Sequence, residues 1–346
     1  MAISRSRTLL AAVLLVVLAS GCFQPGGFAT SARPGRYLFC FWNVENLFDA
    51  RIDGRTGPAR EYDLWFASDP QALDLKLAHL SQALLSLNGG RGPDIIAVAE
   101  VESLRAAELL RDALNRRLRN PSLEYEHVLM KEVHGGRHIA PAIITRLPVR
   151  GDRTQLHGHQ LRILEGHVLV NGHDLVVIAS HWTSRISDKD SGHRDKYGDE
   201  IDGVFRAMWH RNPAVDFIVC GDFNDPPEAE SVTWHLHATG AVNAIERDGS
   251  APPLLDLFAE KDPRRFGTHY FHEHWYIFDQ IVVSPGMLDP AGWSCDPDSA
   301  RTMNTLFRPG DRHRRPWPFG NEHTRAERGY SDHFPVTVDL QVQGSE

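Results

Sequence analysis

Six short apolar runs in this chain begin or end on an acid, an amide or an imidazole, and no other feature narrows its fold as far. Asn43 and Glu45 follow FCFW, Glu100 follows IIAVA, and His181 follows LVVIAS. Asp222, Asn224 and Asp225 follow FIVCG, Asp279 sits inside YIFDQIVVS, and Asp332-His333 precede FPVTVDL. Runs of this length, rich in β-branched and aromatic residues, read as buried strands. One polar residue at a strand end is usually a turn former or a helix cap. Six of them point to a single site gathered along the ends of a sheet.

Helical signals lie between the strands. Asp69-Pro70 offers an N-cap and an N1 proline. Leu73, Leu77, Leu80, Leu84 and Leu87 follow at helical spacing, and Gly89-Gly90 stops the helix. Ser103 is the expected cap of a second helix carrying Leu110, Leu114 and Leu118. Further strand-like runs are Tyr125–Met130, Ile139–Thr145, Leu161–Val170, Leu175–Ser180, Phe217–Cys220, Ile277–Ser284 and Phe334–Val342. Helical signals weaken after residue 200. Many strands with few covering helices predict one α/β domain of stacked layers.

With 42% hydrophobic and 24% charged residues, the 346-residue chain excludes a disordered, collagen-like or polytopic membrane protein. Its formal charge is −8, or −10 (35 basic against 45 acidic residues) once residues 1–21 are removed. Such a chain does not coat nucleic acid by bulk electrostatics; a polyanion must be held by a local patch or a metal. Nineteen histidines favour metal or acid–base chemistry, and four cysteines are too few for a disulfide scaffold. Cys40 and Cys220 fall in apolar runs and are expected as buried free thiols.

The start of the chain reads as an export signal. Arg5 and Arg7 precede an eleven-residue apolar run, Leu9–Ala19, too short to span a bilayer. Ala19-Ser20-Gly21-Cys22 resembles the lipobox of bacterial lipoproteins, with Ala19 in place of the usual leucine. The expected organisation is a signal peptide over 1–21, a flexible tether over 22–36 and a folded domain over 37–343. Cys22 would carry the lipid, anchoring the protein at the cell envelope. Phe23 after the cysteine points to the outer membrane if the source is Gram-negative.

Taken in order, FWNVENLFD, PDIIAVAEVES, ASHWTSR, CGDFNDP, FDQIVVS and GYSDHFPV resemble the endonuclease/exonuclease/phosphatase superfamily, the fold of pancreatic deoxyribonuclease. The resemblance runs from about Tyr37 to about Val342. It implies a four-layer α/β sandwich, with two mostly antiparallel β-sheets face to face and helices outside. It also implies phosphoester hydrolysis with a divalent metal, Mg²⁺ or Mn²⁺ in its place.

Residue by residue, the resemblance makes Glu100 a metal ligand, with Asn43 and Asp332 completing or orienting that shell. A hard oxygen set suits Mg²⁺. His333 matches the catalytic imidazole and Asp279 the carboxylate that orients it. Asp222 would touch the attacking water or the leaving oxygen, and Asn224 would donate to a phosphoryl oxygen. His181 matches a second imidazole on the phosphate. Which of Asp222 and the Asp279–His333 pair is the base stays open. Arg137-His138-Ile139 departs from the family's Arg-Gly-Ile, and Glu132 is a weak candidate for a further carboxylate of that stretch.

Several segments lie outside these motifs. Arg308–Arg328 holds six arginines and three acids, a solvated loop or a phosphate contact. His269, His272 and His274 read as edge-strand side chains near the cleft rather than a second metal site. Lys189–Asp202 reads as a solvated helix or loop, and Arg185 and Arg194 are expected to face substrate. The expected function is that of an exported, monomeric nuclease acting on a phosphodiester substrate. A phosphodiesterase or phosphatase of phospholipid head groups or inositol phosphates is the alternative, and an inactive binding module ranks last.

Overall fold

The computed structural model describes residues 35–134, 137–245, 251–324 and 328–344. The expected signal peptide, Cys22 and nearly all of the expected tether therefore lie outside the described residues. In chain order, β1 (Gly35–Leu47), β2 (Ile95–Val101), β3 (His127–Met130) and β4 (Ala140–Thr145) enter a first sheet. A second sheet takes β5 (Gln155–His157), β6 (Ile163–Val170), β7 (His173–His181), β8 (Asp216–Asp222), β9 (Ala238–Thr239) and β10 (Leu254–Asp256). β11 (His269–Phe271) and β12 (His274–Tyr276) form a separate hairpin. β13 (Asp279–Val283) returns to the second sheet, and β14 (Trp293–Cys295), β15 (Arg301–Thr302) and β16 (Val336–Val342) to the first.

The first sheet runs β14-β16-β1-β2-β4-β3, with β15 also on β16; the second runs β5-β6-β7-β8-β13-β10-β9. β1–β2, β7–β8 and β9–β10 are parallel and the other pairs antiparallel. Side-chain alternation then builds the layers. Phe39 and Phe41 of β1 point between the sheets, where they join Ile143, Val177, Ile218 and Ile281. Cys40 and Trp42 point the other way, onto a helical layer. That layer consists of α1 (Ala59–Ser68), α2 (Pro70–Leu85) and α3 (Leu104–Asn115). α4 (Gly192–Arg211) covers the outer face of the second sheet, with Ile201, Phe205 and Trp209 against Phe217 and Val219. The result is the expected four-layer sandwich.

Asp69 caps α2 by accepting from the Ala72 amide, with Pro70 behind it, and Ser103 caps α3 from Ala106. α3 ends at Asn115, before Leu118. Two helices depart from the sequence reading. α1 carries no clear periodicity and is held by Trp65 and Phe66. α4 extends well past the solvated segment expected over 189–202, because Tyr197, Ile201, Phe205 and Trp209 form a one-residue-per-turn buried stripe among acids. Cys40 and Cys220 are buried free thiols. Among the described residues, no helix is long and apolar enough to cross a membrane.

The second sheet also holds a partly buried ionic ladder across β5, β6 and β7. His157 Nε2 meets Glu165 Oε2 at 2.7 Å, Glu165 Oε1 meets His167 Nε2 at 2.9 Å, and His167 Nδ1 meets Asp174 at 3.0 Å. Burial works against both charges, but the bonds from His157, His167 and Gln155 bring Glu165 down to about 2. Burial likewise opposes the His167 charge, and the bonds from Asp174 and Glu165 outweigh it, raising its pKa. The His167 contribution is complete below its ordinary 6.5 and is lost as pH rises through the raised value. The Glu165 contribution is complete above 4.5 and is lost as pH falls toward 2. Urea midpoints should therefore fall on both sides of this window, and His167→Gln should flatten the alkaline limb relative to wild type.

Candidate active site

Strand register brings three of the motifs into one row. His181 of β7 is the partner of Asp222 on β8, and Asp222 is the partner of Asp279 on β13. His333, just ahead of β16 on the opposing sheet, completes the group. Its Nδ1 lies 2.7 Å from Asp279 Oδ2 and its Nε2 3.8 Å from Asp222 Oδ2. His333 is fixed from behind: Ser331 Oγ accepts its amide and donates to the Asn43 carbonyl, while Trp42 Nε1 donates to the His333 carbonyl. Thr268 Oγ1 accepts from the Asp279 amide at 3.1 Å.

Asp222 Oδ2 is the focus of the row. Asn43 Nδ2 donates to it at 3.0 Å, and His181 Nε2 stands 3.7 Å away. The Asn224 amide donates to Oδ1 at 3.0 Å. Asn224 takes a left-handed φ of 52°, which turns its side chain to donate to the Trp182 carbonyl. Burial pushes Asp222 up to about 7, opposed by the nearby His333 charge.

The two imidazoles differ in charge. Burial disfavours charge on His333, but Asp279, Asp222 and Asp332 outweigh it and hold its pKa well above the ordinary value. Burial, then Arg162, Arg137 and His333, hold His181 well below. Arg162 Nη1 donates to His181 Nδ1 at 3.2 Å. The neutral ring must therefore carry its proton on Nε2, the atom facing Asp222 and Glu100. The surroundings thus favour the charged form of His333 and the neutral, Nε2–H form of His181.

Glu100 sits where β2 loses register with both neighbours. Its φ is +64°, and Glu45 and Asn46 across the irregularity are each at +53°. Bulges of this kind re-aim side chains, and the strain they hold is characteristic of functional sites. Here the Glu100 carboxylate accepts from the Asn46 amide at 2.9 Å and from Arg137 Nη2 at 3.2 Å, and lies 3.7 Å from His181 Nε2. Glu45 accepts from the Phe319 and Gly320 amides. Beneath it, Lys76 of α2 is fully buried, with its Nζ 4.5 Å from the Phe319 ring centre. Burial lowers Lys76 to about 8 against the pull of Glu45, Asp332 and Glu100.

Three groups of metal-ligating atoms converge within 4.8 Å among the described residues: His269–Asp332–His333, Asp222–Asp279–His333 and Asp49–Asp53–Glu102. The third is already held by Arg55 and Arg105. Glu100 belongs to none of them and joins the row through His181. The donor chemistry fits a hard divalent ion, since the Asp222 and Asp279 carboxylates converge and Asp279 Oδ1 is buried with no partner.

Sequence reasoning missed several contributors. Arg162 bonds His181 and Lys76 is buried near Glu45, each visible in the sequence only as a charge without a motif; Arg137, read only as a departure from the family's Arg-Gly-Ile, bonds Glu100, and Glu45, read only as a strand-end acid, accepts from the Phe319 and Gly320 amides. His269 stacks on His333 at 4.3 Å and its Nδ1 bonds the Asp332 carbonyl, whereas His272 and His274 are exposed. Arg185 is held by Asp225 at 3.2 Å, 5.8 Å from the Tyr276 and Phe278 ring centres. Arg194 is a correction: it is buried, bonded to Asp225 at 2.7 Å and to the Asp188 carbonyl, and so cannot face substrate. Glu132 caps α3 through the Leu104 amide, away from the row.

A sandwich with carboxylates and imidazoles converging on the ends of its strands is the architecture of a phosphoric ester hydrolase. The model of the Endonuclease/Exonuclease/phosphatase family matches residues 148–342, and the chain belongs to that family. The match contains His181, Asp222, Asn224, Asp279, Asp332 and His333. No curated protein matches the chain. Among solved structures, an endonuclease/exonuclease/phosphatase family protein from Bacteroides thetaiotaomicron is 15% identical over 90% of this chain and 100% of its own, with a TM-score of 0.53. A mannosyl-6-phosphatase from the same species is 15% identical, over 88% and 99%, with a TM-score of 0.51. Truncated TDP2 from Caenorhabditis elegans is 14% identical, over 89% and 98%, with a TM-score of 0.50. These likenesses establish the shared fold.

Proposed function

We propose that this enzyme is a Mg²⁺-dependent phosphodiesterase that attacks phosphorus directly with water, and that its substrate is nucleic acid. The observation that carries the reading is the row His181–Asp222–Asp279 closed by His333. Glu100, with Asn43 and Asp332, would hold the ion. When bound, it supplies positive charge to the phosphoryl oxygens. Asp222 is the base: its Oδ2 lies near both Nε2 atoms, and His333 already holds its proton. The His333 imidazolium, kept in place by Asp279, stabilises charge on the phosphoryl group as it builds. His181 donates its Nε2 proton in a hydrogen bond to a phosphoryl or leaving oxygen, with Asn224 as a further donor. The nucleic-acid reading is supported by Arg185 beside the partly exposed ring of Tyr276, since an aromatic ring with a guanidinium suits a base-bearing diester.

Hydrolysis should vanish with EDTA and return with Mg²⁺ or Mn²⁺, and Glu100→Gln should shift the Mg²⁺ requirement upward with little change in thermal midpoint. A panel of plasmid, single-stranded DNA, RNA, a chromogenic diester, a phosphomonoester and sphingomyelin tests the substrate. Cleavage confined to the monoester or the lipid would replace the nuclease reading with the phosphatase or lipid one. We further propose a lipid anchor at Cys22. Labelled fatty acid should enter the wild type and not Cys22→Ala.

A further inference from the structure

The β11–β12 hairpin has two faces. His269 and Tyr276 pair across it on the side of His333 and Arg185, whereas Tyr270 and Trp275 pair on the other. Behind the second face lies a pocket of about 250 Å³ that the reaction does not use. Arg264, Arg265, Arg314 and His313 line it, with Trp275 and Asn304, and no carboxylate does. In a chain of net charge −8 this concentration of positive charge runs against the overall sign.

Aromatic rings, rather than acids, hold two of these guanidinium groups. Arg314 lies 4.4 Å from the Phe307 ring centre and Arg265 5.6 Å from that of Phe266. Stacking engages the guanidinium face and leaves its N–H edge for a ligand. Arg264 alone of the three pairs with an acid, Asp262, at 3.3 Å. His313 stacks on Tyr270, which packs edge-on against Trp275. Asn304 Nδ2 donates to the Arg265 carbonyl at 3.2 Å, tying the two walls together. Gly267 lets the floor close, since a Cβ there would stand 2.6 Å from the Trp275 ring. Three guanidinium groups share the single nearby carboxylate of Asp262, and an oxyanion would balance the remaining charge while accepting charge-assisted bonds. The volume equals about eight waters, enough for a phosphate group with part of its hydration.

We propose that this pocket binds a phosphate-type oxyanion, distinct from the scissile group and behind the wall that carries His269. The oxyanion comes either from the substrate's own chain or from a free phosphate. Pyrophosphate titrated calorimetrically into the full chain, at low salt with EDTA present, should bind. Arg265→Glu/Arg314→Glu should weaken that binding at least about tenfold. Arg265→Gln/Arg314→Gln, which keeps the charge change smaller, should fall between. No binding by wild type, or equal binding by the charge-reversed variant, overturns the proposal.

Kinetics with Mg²⁺ distinguish the sources, and this arm alone rests on the proposed diester hydrolysis. A raised KM for an oligonucleotide, with KM for a small chromogenic diester unchanged, assigns the pocket to the substrate chain. Both values unchanged, with pyrophosphate binding lost, assign it to a free oxyanion. Both raised contradicts a separate site.

Discussion

His333→Ala should lower kcat/KM by at least about 10²-fold, the scale on which losing one positioned charge-stabilising donor acts. The ring carries the charge that Asp279 holds at 2.7 Å, and its Nε2 faces the Asp222 carboxylate. Asp279→Asn should remove a large part of the same factor, because an amide neither holds the imidazolium nor selects the Nδ1–H tautomer. The double variant should then resemble His333→Ala alone, since residues acting as one unit do not add. The cycle is read at saturating Mg²⁺, so that metal loss is not mistaken for loss of the imidazolium. Effects that multiply would show that Asp279 acts through another contact.

Asp222→Asn should be at least as severe by itself. The carboxylate gathers Asn43, the Asn224 amide and two imidazole Nε2 atoms, and an asparagine there keeps the volume while losing the proton acceptor. The loss should fall on kcat, by about 10²–10⁴-fold, with KM little changed. Both carboxylate oxygens accept hydrogen bonds, from Asn43 Nδ2 and the Asn224 amide, so the loss of activity is read beside the thermal midpoint. A variant that is equally active but less stable would make Asp222 structural and return the base to the Asp279–His333 pair.

Much of this was legible in the residues. The strands announced themselves because β-branched runs bounded by polar residues have few other uses, and their ends carried Asn43, Glu100, His181, Asp222, Asp279 and His333. What could not be read was register. That His181, Asp222 and Asp279 fall in one row depends on β8 pairing with β13, more than fifty residues later, which no local pattern encodes. Arg162 adjoins the start of β6 and Arg137 precedes β4, and no local pattern says that either turns toward the site. Lys76 belongs to no motif; only the tertiary structure shows it buried close to Glu45. The Glu100 irregularity also hid, because the apolar run reads as ending at Ala99, whereas the strand continues to Val101 through a left-handed Glu100. α4 was obscured by the acids that flank its narrow apolar stripe.

Direct attack by water is the central claim, and the stereochemical course at phosphorus tests it most directly. A phosphorothioate diester of single configuration, cleaved by the Mg²⁺-loaded enzyme in ¹⁸O-water, should give product of inverted configuration, as one in-line displacement requires. Retention would require two displacements and a covalent enzyme intermediate, and would contradict the roles assigned to Asp222 and His333.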